Sequence, residues 1–394
     1  MTEMLLNPDI DKASLVICSR CIYDERVPSI TFDREGVCNY CRQVESLIEQ
    51  FGTGLTKGEQ IFSGILSNIK RSGRGKKYDC IVGVSGGTDS SYLIYQAKKW
   101  GLRPLAVHYD NTWNSAIATM NIHKVLSALD VDLYTHVVAN KEADDIFRSF
   151  FLSGVAEIEA STDLGFAYLL RQVAAKYSIK YIFEGHSFVE EGITPLGRNY
   201  FDGRYIKSIH KRFGKSRMVT FPLMTFSRFL WSAIFHRVKF IRPLWYLDYS
   251  KEDAKIFLSE KFDWRYYGGH HLENRMTAFY HSVYLPEKFG SDMRNNTLAA
   301  KVRNGVMSRT EAWAEYNTAP LVEGELVSYF KKRLELNDEC YERIMATPPK
   351  NWTEYPTYKK RFERFRPLFY ALVKANLVPV SFYLKYCFPA KAPT

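Results

Sequence analysis

Apolar positions in the first half of the chain come as short runs set between longer amphipathic stretches. Residues 78–84 are an almost unbroken apolar run and predict a buried strand. Residues 92–100 follow with helical spacing, and Gly101 is placed to end that helix. The alternation continues with a strand at 105–109, a helix at 115–129 and a strand at 133–138. A helix at 141–152, a capped helix at 161–177 and a strand at 181–183 complete it. Strands alternating with helices imply an α/β fold: a parallel twisted sheet with helices on both faces. Upstream, residues 43–69 have a helical tendency, and residues 70–77 are a basic, glycine-containing break. Three parts follow: residues 1–70 with a cysteine-rich start and linker, 71–220 with the α/β pattern, and 221–394, mainly helical.

The stretch Ser85-Gly86-Gly87-Thr88-Asp89-Ser90-Ser91 sits between the first strand and its helix. Two glycines let the backbone approach a ligand closely, and the unpaired amides of a helix start point at it. Hydroxyls of Ser85, Thr88, Ser90 and Ser91 add donors, and Asp89 can hold a divalent ion against phosphates. The Gly-x4-Gly-Lys-Ser/Thr phosphate loop is absent, since no lysine follows the glycines. In a parallel sheet, ligands bind beyond the carboxyl ends of the strands. That rule selects the loop from Val84 onward, the turn His108-Tyr109-Asp110-Asn111, and Glu184-Gly185-His186. The turn offers His108, Asp110 and Asn111 to a ribose or base. Gly185 would let a base pass close, with His186 near the reacting centre. Thr162 and Asp163 stand at a helix start, where they either contact phosphate and a metal or simply cap the helix.

Composition and charge add partners to this picture. The chain has 394 residues, 46% hydrophobic and 25% charged, as in a soluble globular protein. A net charge of +11 suits an acidic partner: nucleic acid, a nucleotide-linked sugar or an anionic surface. The start of the chain lacks the basic and apolar regions of a secretory signal, and no apolar run is long enough to span a membrane. The location expected is therefore cytoplasmic. The basic-aromatic alternation at residues 229–242 either touches a membrane surface, which would place the protein against the inner membrane, or packs on its own domain.

Four of seven cysteines form two knuckles, Cys18-Ser19-Arg20-Cys21 and Cys38-Asn39-Tyr40-Cys41, with sixteen residues between them. That is the spacing of a four-thiolate zinc ribbon, favoured here over disulfides or an iron–sulfur cluster. A site closed by four cysteines is structural. Cys80 reads as core, and Cys340 and Cys387 stand alone.

The Ser-Gly-Gly-x-Asp-Ser loop resembles the pyrophosphate loop of the PP-loop ATP pyrophosphatases, which split ATP between its α and β phosphates. Four stretches together are similar to the N-acetyl sugar amidotransferases of bacterial surface-polysaccharide synthesis: the cysteine knuckles, residues 84–91, residues 161–186, and Arg242-Pro243-Leu244-Trp245-Tyr246. Residues 266–275 fit as well, and the likeness runs from about residue 18 to about residue 319. The resemblance implies conversion of an acetamido group on a nucleotide-linked sugar to acetamidino, in lipopolysaccharide or related glycan synthesis. The amide oxygen is adenylated, pyrophosphate leaves, ammonia attacks the carbon, and AMP departs. ATP, magnesium on Asp89 and Asp163, and zinc are the expected cofactors, with Asp89 and His186 as catalytic residues. Lys207, in the basic run 207–217, and His270, His271, Glu273 and Asn274 are candidate sugar or phosphate contacts. A solvated loop for the run and a core position for one of the histidines are the alternatives.

No glutaminase constellation of cysteine and histidine is visible. The resemblance therefore implies ammonia from two partners, a glutamine amidotransferase and a cyclase-like barrel. Nucleic acid is not expected as the partner. Two rival readings remain, a tRNA-modifying enzyme of the thiolase type and a non-catalytic nucleotide-binding scaffold. The basic-aromatic cluster at 358–366 and the short apolar tail at 377–384 assign nothing further.

Overall fold

Cys80, Ile81 and Val82 are fully buried and form β1 (Cys80–Gly83), the central strand of the sheet. The structure is a computed structural model and describes residues 15–193, 195, 200–269 and 272–389. Around β1 lie β2 (Pro104–Asp110), β3 (Leu133–Val137), β4 (Tyr181–Phe183) and β5 (Lys239–Ile241). All pairings are parallel, and the order is β3-β2-β1-β4-β5. The chain builds outward from β1 to one side and then returns to build on the other. The crevice between the carboxyl ends of β1 and β4 is therefore a topological switch point.

Helices α1 (Asn39–Phe51) and α2 (Thr56–Ser72) precede the sheet. Among and after the first four strands come α3 (Thr88–Lys99), α4 (Ala116–Leu129), α5 (Asn140–Ser153), α6 (Ala160–Lys176) and α7 (Gly203–Phe213). Helix α8 (Phe226–Trp231) leads into β5. Beyond it come α9 (Lys251–Phe262), α10 (Arg275–Phe279), α11 (Leu285–Phe289), α12 (Arg294–Arg303) and α13 (Arg309–Asn317). The chain finishes with α14 (Leu326–Arg333), α15 (Asp338–Ala346), α16 (Lys359–Arg364), α17 (Arg366–Lys374) and α18 (Val380–Tyr386).

The two-residue period of the strands divides the core. Ile81, Leu105, Val107 and Ile182 face one way, into a cluster with residues of α5, α6 and α7. Cys80, Val82, Ala106 and Phe183 face the other, against Ile69 of α2, Leu93 and Ile94 of α3, Val125 of α4 and Leu258 of α9. The expected α/β fold, covered on both faces and followed by a mainly helical region, is thus observed.

Three details differ from the sequence reading. Helix α3 begins at Thr88 rather than at residue 92, because Gly87 leaves the loop extended (φ −74°, ψ 168°) and Asp89 suits the positive end of the helix. The helical stretch after the cysteines is two helices, split where Gly52 (φ 62°) takes the left-handed conformation. Residues 238–242, read as part of a basic-aromatic alternation, contain β5, an edge strand too short to show a period. The sheet consequently draws on the chain beyond residue 220.

Candidate active site

The loop after β1 keeps its shape through contacts that admit no larger residue at Gly86. Its φ is +84°, and a Cβ there would lie 2.2 Å from the Ala118 carbonyl oxygen. The Gly86 carbonyl accepts from Trp264 Nε1 at 3.1 Å and Asn121 Nδ2 at 3.3 Å. At Gly87 a Cβ would crowd the side chains of Tyr267, Ser85 and Glu273, at 3.1 to 3.3 Å. Ser85 Oγ accepts from Gly87 N and donates to Glu273 Oε1, each at 3.3 Å. Ser90 Oγ accepts from Ser85 N and donates to the Gly87 carbonyl. Thr88 Oγ1 is buried and has no hydrogen-bond partner among the described residues. Ser91 is buried in the first turn of α3. An orphaned hydroxyl and a cradle that a Cβ would fill both fit a phosphate-bearing ligand at this helix start.

A cavity of about 910 Å³ opens beside the loop. Val84 and Ser85 form part of its wall, with His108, Asn111, Asn114, Thr162, Asp163 and His186. His108 is locked in place: Nδ1 lies 2.9 Å from the Val84 carbonyl and Nε2 lies 3.1 Å from Asn114 Nδ2. With Asn114 donating to Nε2, the proton sits on Nδ1, and burial lowers the imidazole's pKa. Asp110 stands off the wall and shapes the turn, accepting from Thr112 N at 2.6 Å and Asn114 Nδ2 at 3.3 Å.

Asn274 ties the far segment to this turn. Its Nδ2 donates to Asn111 Oδ1 at 2.8 Å and Asn114 Oδ1 at 3.0 Å, while its Oδ1 caps α10 by accepting from Met276 N and Thr277 N. Glu273, Thr277, Tyr280, His281 and residues 289–297 continue the wall. Two carboxyls stand close by. Glu159 accepts from Thr277 Oγ1 at 2.6 Å. Burial pushes Glu157 up to about 7, although Tyr200 N and Tyr205 Oη donate to it.

Asp89, expected to hold magnesium, is engaged by two neighbouring side chains. It lies behind the loop, off the cavity wall, where Oδ1 accepts from Tyr249 Oη at 2.6 Å and Oδ2 from Lys251 Nζ at 2.7 Å. Lys251 also donates to Glu191 Oε1 at 3.2 Å. Burial opposes the charge on Lys251, but Asp89 and Glu191 outweigh it and raise its pKa. Asp163 is on the cavity wall, whereas Asp89 is not. Among the described residues, the only group of three or more His, Cys, Asp or Glu that could hold a metal is the set of four cysteines.

Gly185 abuts the backbone of Asp89 and Ser90, at about 3.3 Å from where its Cβ would stand, and it packs β4 on the loop rather than lining the cavity. His186 does line it. Trp245 Nε1 donates to His186 Nδ1 at 3.2 Å, its recessed position lowers its pKa, and Glu191 lies 3.9 Å from its Nε2. Arg242 Nε donates to Glu184 Oε2 at 2.8 Å. Lys207 is exposed on α7 and away from the cavity. Its neighbour His210 is buried, 3.1 Å from Asp145, which also accepts from Lys215 N and Ser216 N. Part of the basic run is therefore an anchor. His270 and His271 lie outside the described residues.

The four cysteines form a buried cluster whose sulfurs all lie within 4.8 Å of one another. Cys18 and Cys41, and Cys21 and Cys38, stand 3.9 Å apart, far beyond a disulfide bond. Metal–sulfur bonds of about 2.3 Å in a tetrahedron give sulfur separations of roughly 3.8 Å, so the set fits zinc. The sequence did not show where this ribbon goes. Tyr23 Oη donates to Asn296 Oδ1 at 2.8 Å, and Arg309 Nε donates to the Cys18 and Cys21 carbonyls at 3.0 and 3.1 Å. Asp24, Arg26, Val27 and Pro28 thereby become part of the cavity wall. No local signal marks these residues, nor Tyr249, Lys251 and Glu191.

Fold and site together define an α/β protein with a glycine loop at its switch point, beside a cavity of mixed polar and apolar lining. A family model described as LPS biosynthesis protein WbpG-like, C-terminal domain, matches residues 273–368. That segment begins at Glu273 and supplies part of the cavity wall, from Glu273 to Tyr316. No curated protein matches the chain. Among solved structures, NMN synthetase from Francisella tularensis is 13% identical with a TM-score of 0.33, over 72% of this chain and 95% of that one. The NH3-dependent NAD synthetase from Campylobacter jejuni is 10% identical with a TM-score of 0.32, over 74% and 98%. Scores this low define no shared activity.

Proposed function

We propose that the chain is an ATP-dependent amidotransferase that turns the acetamido group of a nucleotide-linked sugar into acetamidino during lipopolysaccharide or related glycan synthesis. One observation carries this reading: the segment matching a lipopolysaccharide-biosynthesis family forms the wall beside the Ser-Gly-Gly-x-Asp-Ser loop. A nucleotide whose phosphates sit on the loop would thus have its α-phosphate facing a substrate held by that segment.

An amide carbon is a poor electrophile and its oxygen a poor leaving group. Adenylation of the oxygen forms the O–P bond and breaks the α–β phosphate bond, releasing pyrophosphate. Ammonia then adds to the carbon, and the C–O bond breaks to release AMP. The amides of the loop and the start of α3 hold the departing pyrophosphate, with Thr88 offering its hydroxyl. Magnesium carried on the nucleotide phosphates would offset their charge. Lys251 sets the position of Asp89 and, through it, of the first turn of α3. His186 and Glu157 are the cavity groups suited to proton transfer, Glu157 because its pKa lies near neutrality. Ammonia would come from a glutamine amidotransferase and a cyclase-like barrel partner, with free ammonium replacing both in vitro.

The test is AMP release from ATP and ammonium chloride, comparing UDP-linked N-acetylated sugars or uronic acids with bulk tRNA. Sugar-dependent AMP, with a product lighter by the difference between O and NH, is expected. Stimulation by tRNA alone would replace this reading with tRNA modification.

A further inference from the structure

Arg171, in the fourth turn of α6, is 5% exposed, yet its guanidinium makes no ion pair among the described residues. It lies between the rings of Phe240, at 4.7 Å, and Phe229, at 5.5 Å. Nη1 has no hydrogen-bond partner among the described residues. Two carboxylates border the same pocket. Glu184 is bonded to Arg242. Asp202 is spent on Arg204 N, Tyr205 N, Tyr200 Oη and Tyr358 N, at 2.6 to 2.9 Å. Burial pulls Arg171 down to about 10, with the charge of Glu184 opposing the shift, which leaves it charged at neutral pH. Cation–π contacts recover part of its lost hydration. A buried cation whose nearest carboxylate is bonded to another arginine still carries a desolvation cost.

The pocket Arg171 enters holds about 190 Å³ and is walled by Phe226, Phe362 and Phe382. A second depression, of about 520 Å³, also includes Arg171, together with Lys176, Arg228 and Trp231. The surrounding surface is apolar as well as basic. Trp231 and Phe235 lie ring against ring, tilted, with centroids 4.1 Å apart, and are 59% and 58% exposed, and Val380 and Leu384 of α18 are 59% and 48% exposed. Exposed aromatic and aliphatic side chains beside cations are the pattern of a membrane-interface contact.

We propose that Arg171 is the anion site of a pocket for a lipid phosphomonoester presented at a membrane surface. The phosphate lies on the guanidinium, whose planar fork matches it. The apolar chain leaves between the aromatic walls. A pocket of this size takes a compact phosphate head and the start of a chain, and excludes a choline- or sugar-sized head. The site is separate from the reaction proposed above and stands or falls without it.

The experiment is flotation of the full chain with phosphatidylcholine vesicles containing phosphatidic acid, or phosphatidylserine at matched surface charge. Inorganic phosphate serves as a soluble competitor. Wild type is expected to prefer phosphatidic acid by about tenfold, some 1.4 kcal/mol. Arg171→Met should lose the preference while melting no lower than wild type, since it removes a buried charge that makes no ion pair. Ala167→Phe, which fills the pocket but keeps Arg171, should lose it too. Equal, salt-sensitive binding of both vesicles by wild type would overturn the proposal, leaving only a basic surface. Binding to neither vesicle would overturn it as well. Displacement by inorganic phosphate at the concentration of the lipid phosphate would assign the site to free phosphate instead.

Discussion

Lys251 Nζ stands 2.7 Å from Asp89 Oδ2, joining the start of α9 to the first turn of α3. Both side chains are mostly buried, and Tyr249 and Glu191 complete the group. Removing one member of such a pair leaves the other charge uncompensated, at a cost of about 3–5 kcal/mol. Asp89→Ala and Lys251→Met are each expected to destabilise the chain by that order and to abolish AMP formation. The double variant should cost clearly less than the sum of the two, because neither orphaned charge remains. Urea denaturation of the four proteins measures this. Additive losses would show that the two residues do not act as a unit.

Asn274 does two jobs with two atoms, and substitution separates them. Asn274→Asp keeps the oxygen that caps α10 but sets a carboxylate oxygen against Asn111 Oδ1 and Asn114 Oδ1. Asn274→Ala loses the cap as well, worth about 1 kcal/mol, and two further hydrogen bonds of about 1 kcal/mol each. The alanine variant is expected to be destabilised by about 2–3 kcal/mol. The aspartate variant should show at least as large a loss in ATP-dependent turnover, since its new charge repels the turn that holds His108. Thermal melts and steady-state kinetics on both variants decide it, and full activity in the aspartate variant would contradict the geometry.

The ribbon makes metal binding a property of the cavity wall. Zinc is expected at one ion per chain, and Cys21→Ser should lose it along with the Arg309 bonds to the Cys18 and Cys21 carbonyls. With Tyr23 no longer braced on Asn296, the wall at residues 24–28 loosens. Metal analysis of the chelated protein should show zinc loss, a lower melting temperature and a raised KM for the sugar. An unchanged KM after complete zinc removal would detach the ribbon from the substrate site.

What was legible in the sequence was local. The loop at residues 85–91 and the four cysteines carry their chemistry in spacings of a few residues, and the structure keeps both together. The strand–helix alternation gave the sheet because β1 and β2 are buried along most of their length. What escaped depends on distance along the chain. Asn274 meets Asn111 across 163 residues, Tyr23 meets Asn296 across 273, and Lys251 meets Asp89 across 162. Arg242-Pro243-Leu244-Trp245-Tyr246 stood out as a motif, but its role, holding Glu184 and His186 from the segment just after β5, needed the fold. Asp89 shows the converse: its motif suggested a metal, while a lysine distant in sequence determines its contacts.

Glu157 gives the cavity a pH dependence of definite sign. Burial raises its pKa from 4.5 to about 7, and Tyr205, Tyr280, Tyr284 and Lys385 surround it. Between those two values the folded chain holds a proton that the unfolded chain has lost, so stability falls as pH rises. At 1.36 kcal/mol per unit, the full effect is about 3 kcal/mol, spread between pH about 4.5 and 7. Glu157→Gln stays neutral throughout and should flatten that part of the stability curve. If Glu157 also takes the proton released as ammonia adds, the same variant loses the rise in turnover centred near pH 7. Loss of the stability slope with an unchanged rate profile would confine Glu157 to the wall and leave His186 as the proton acceptor.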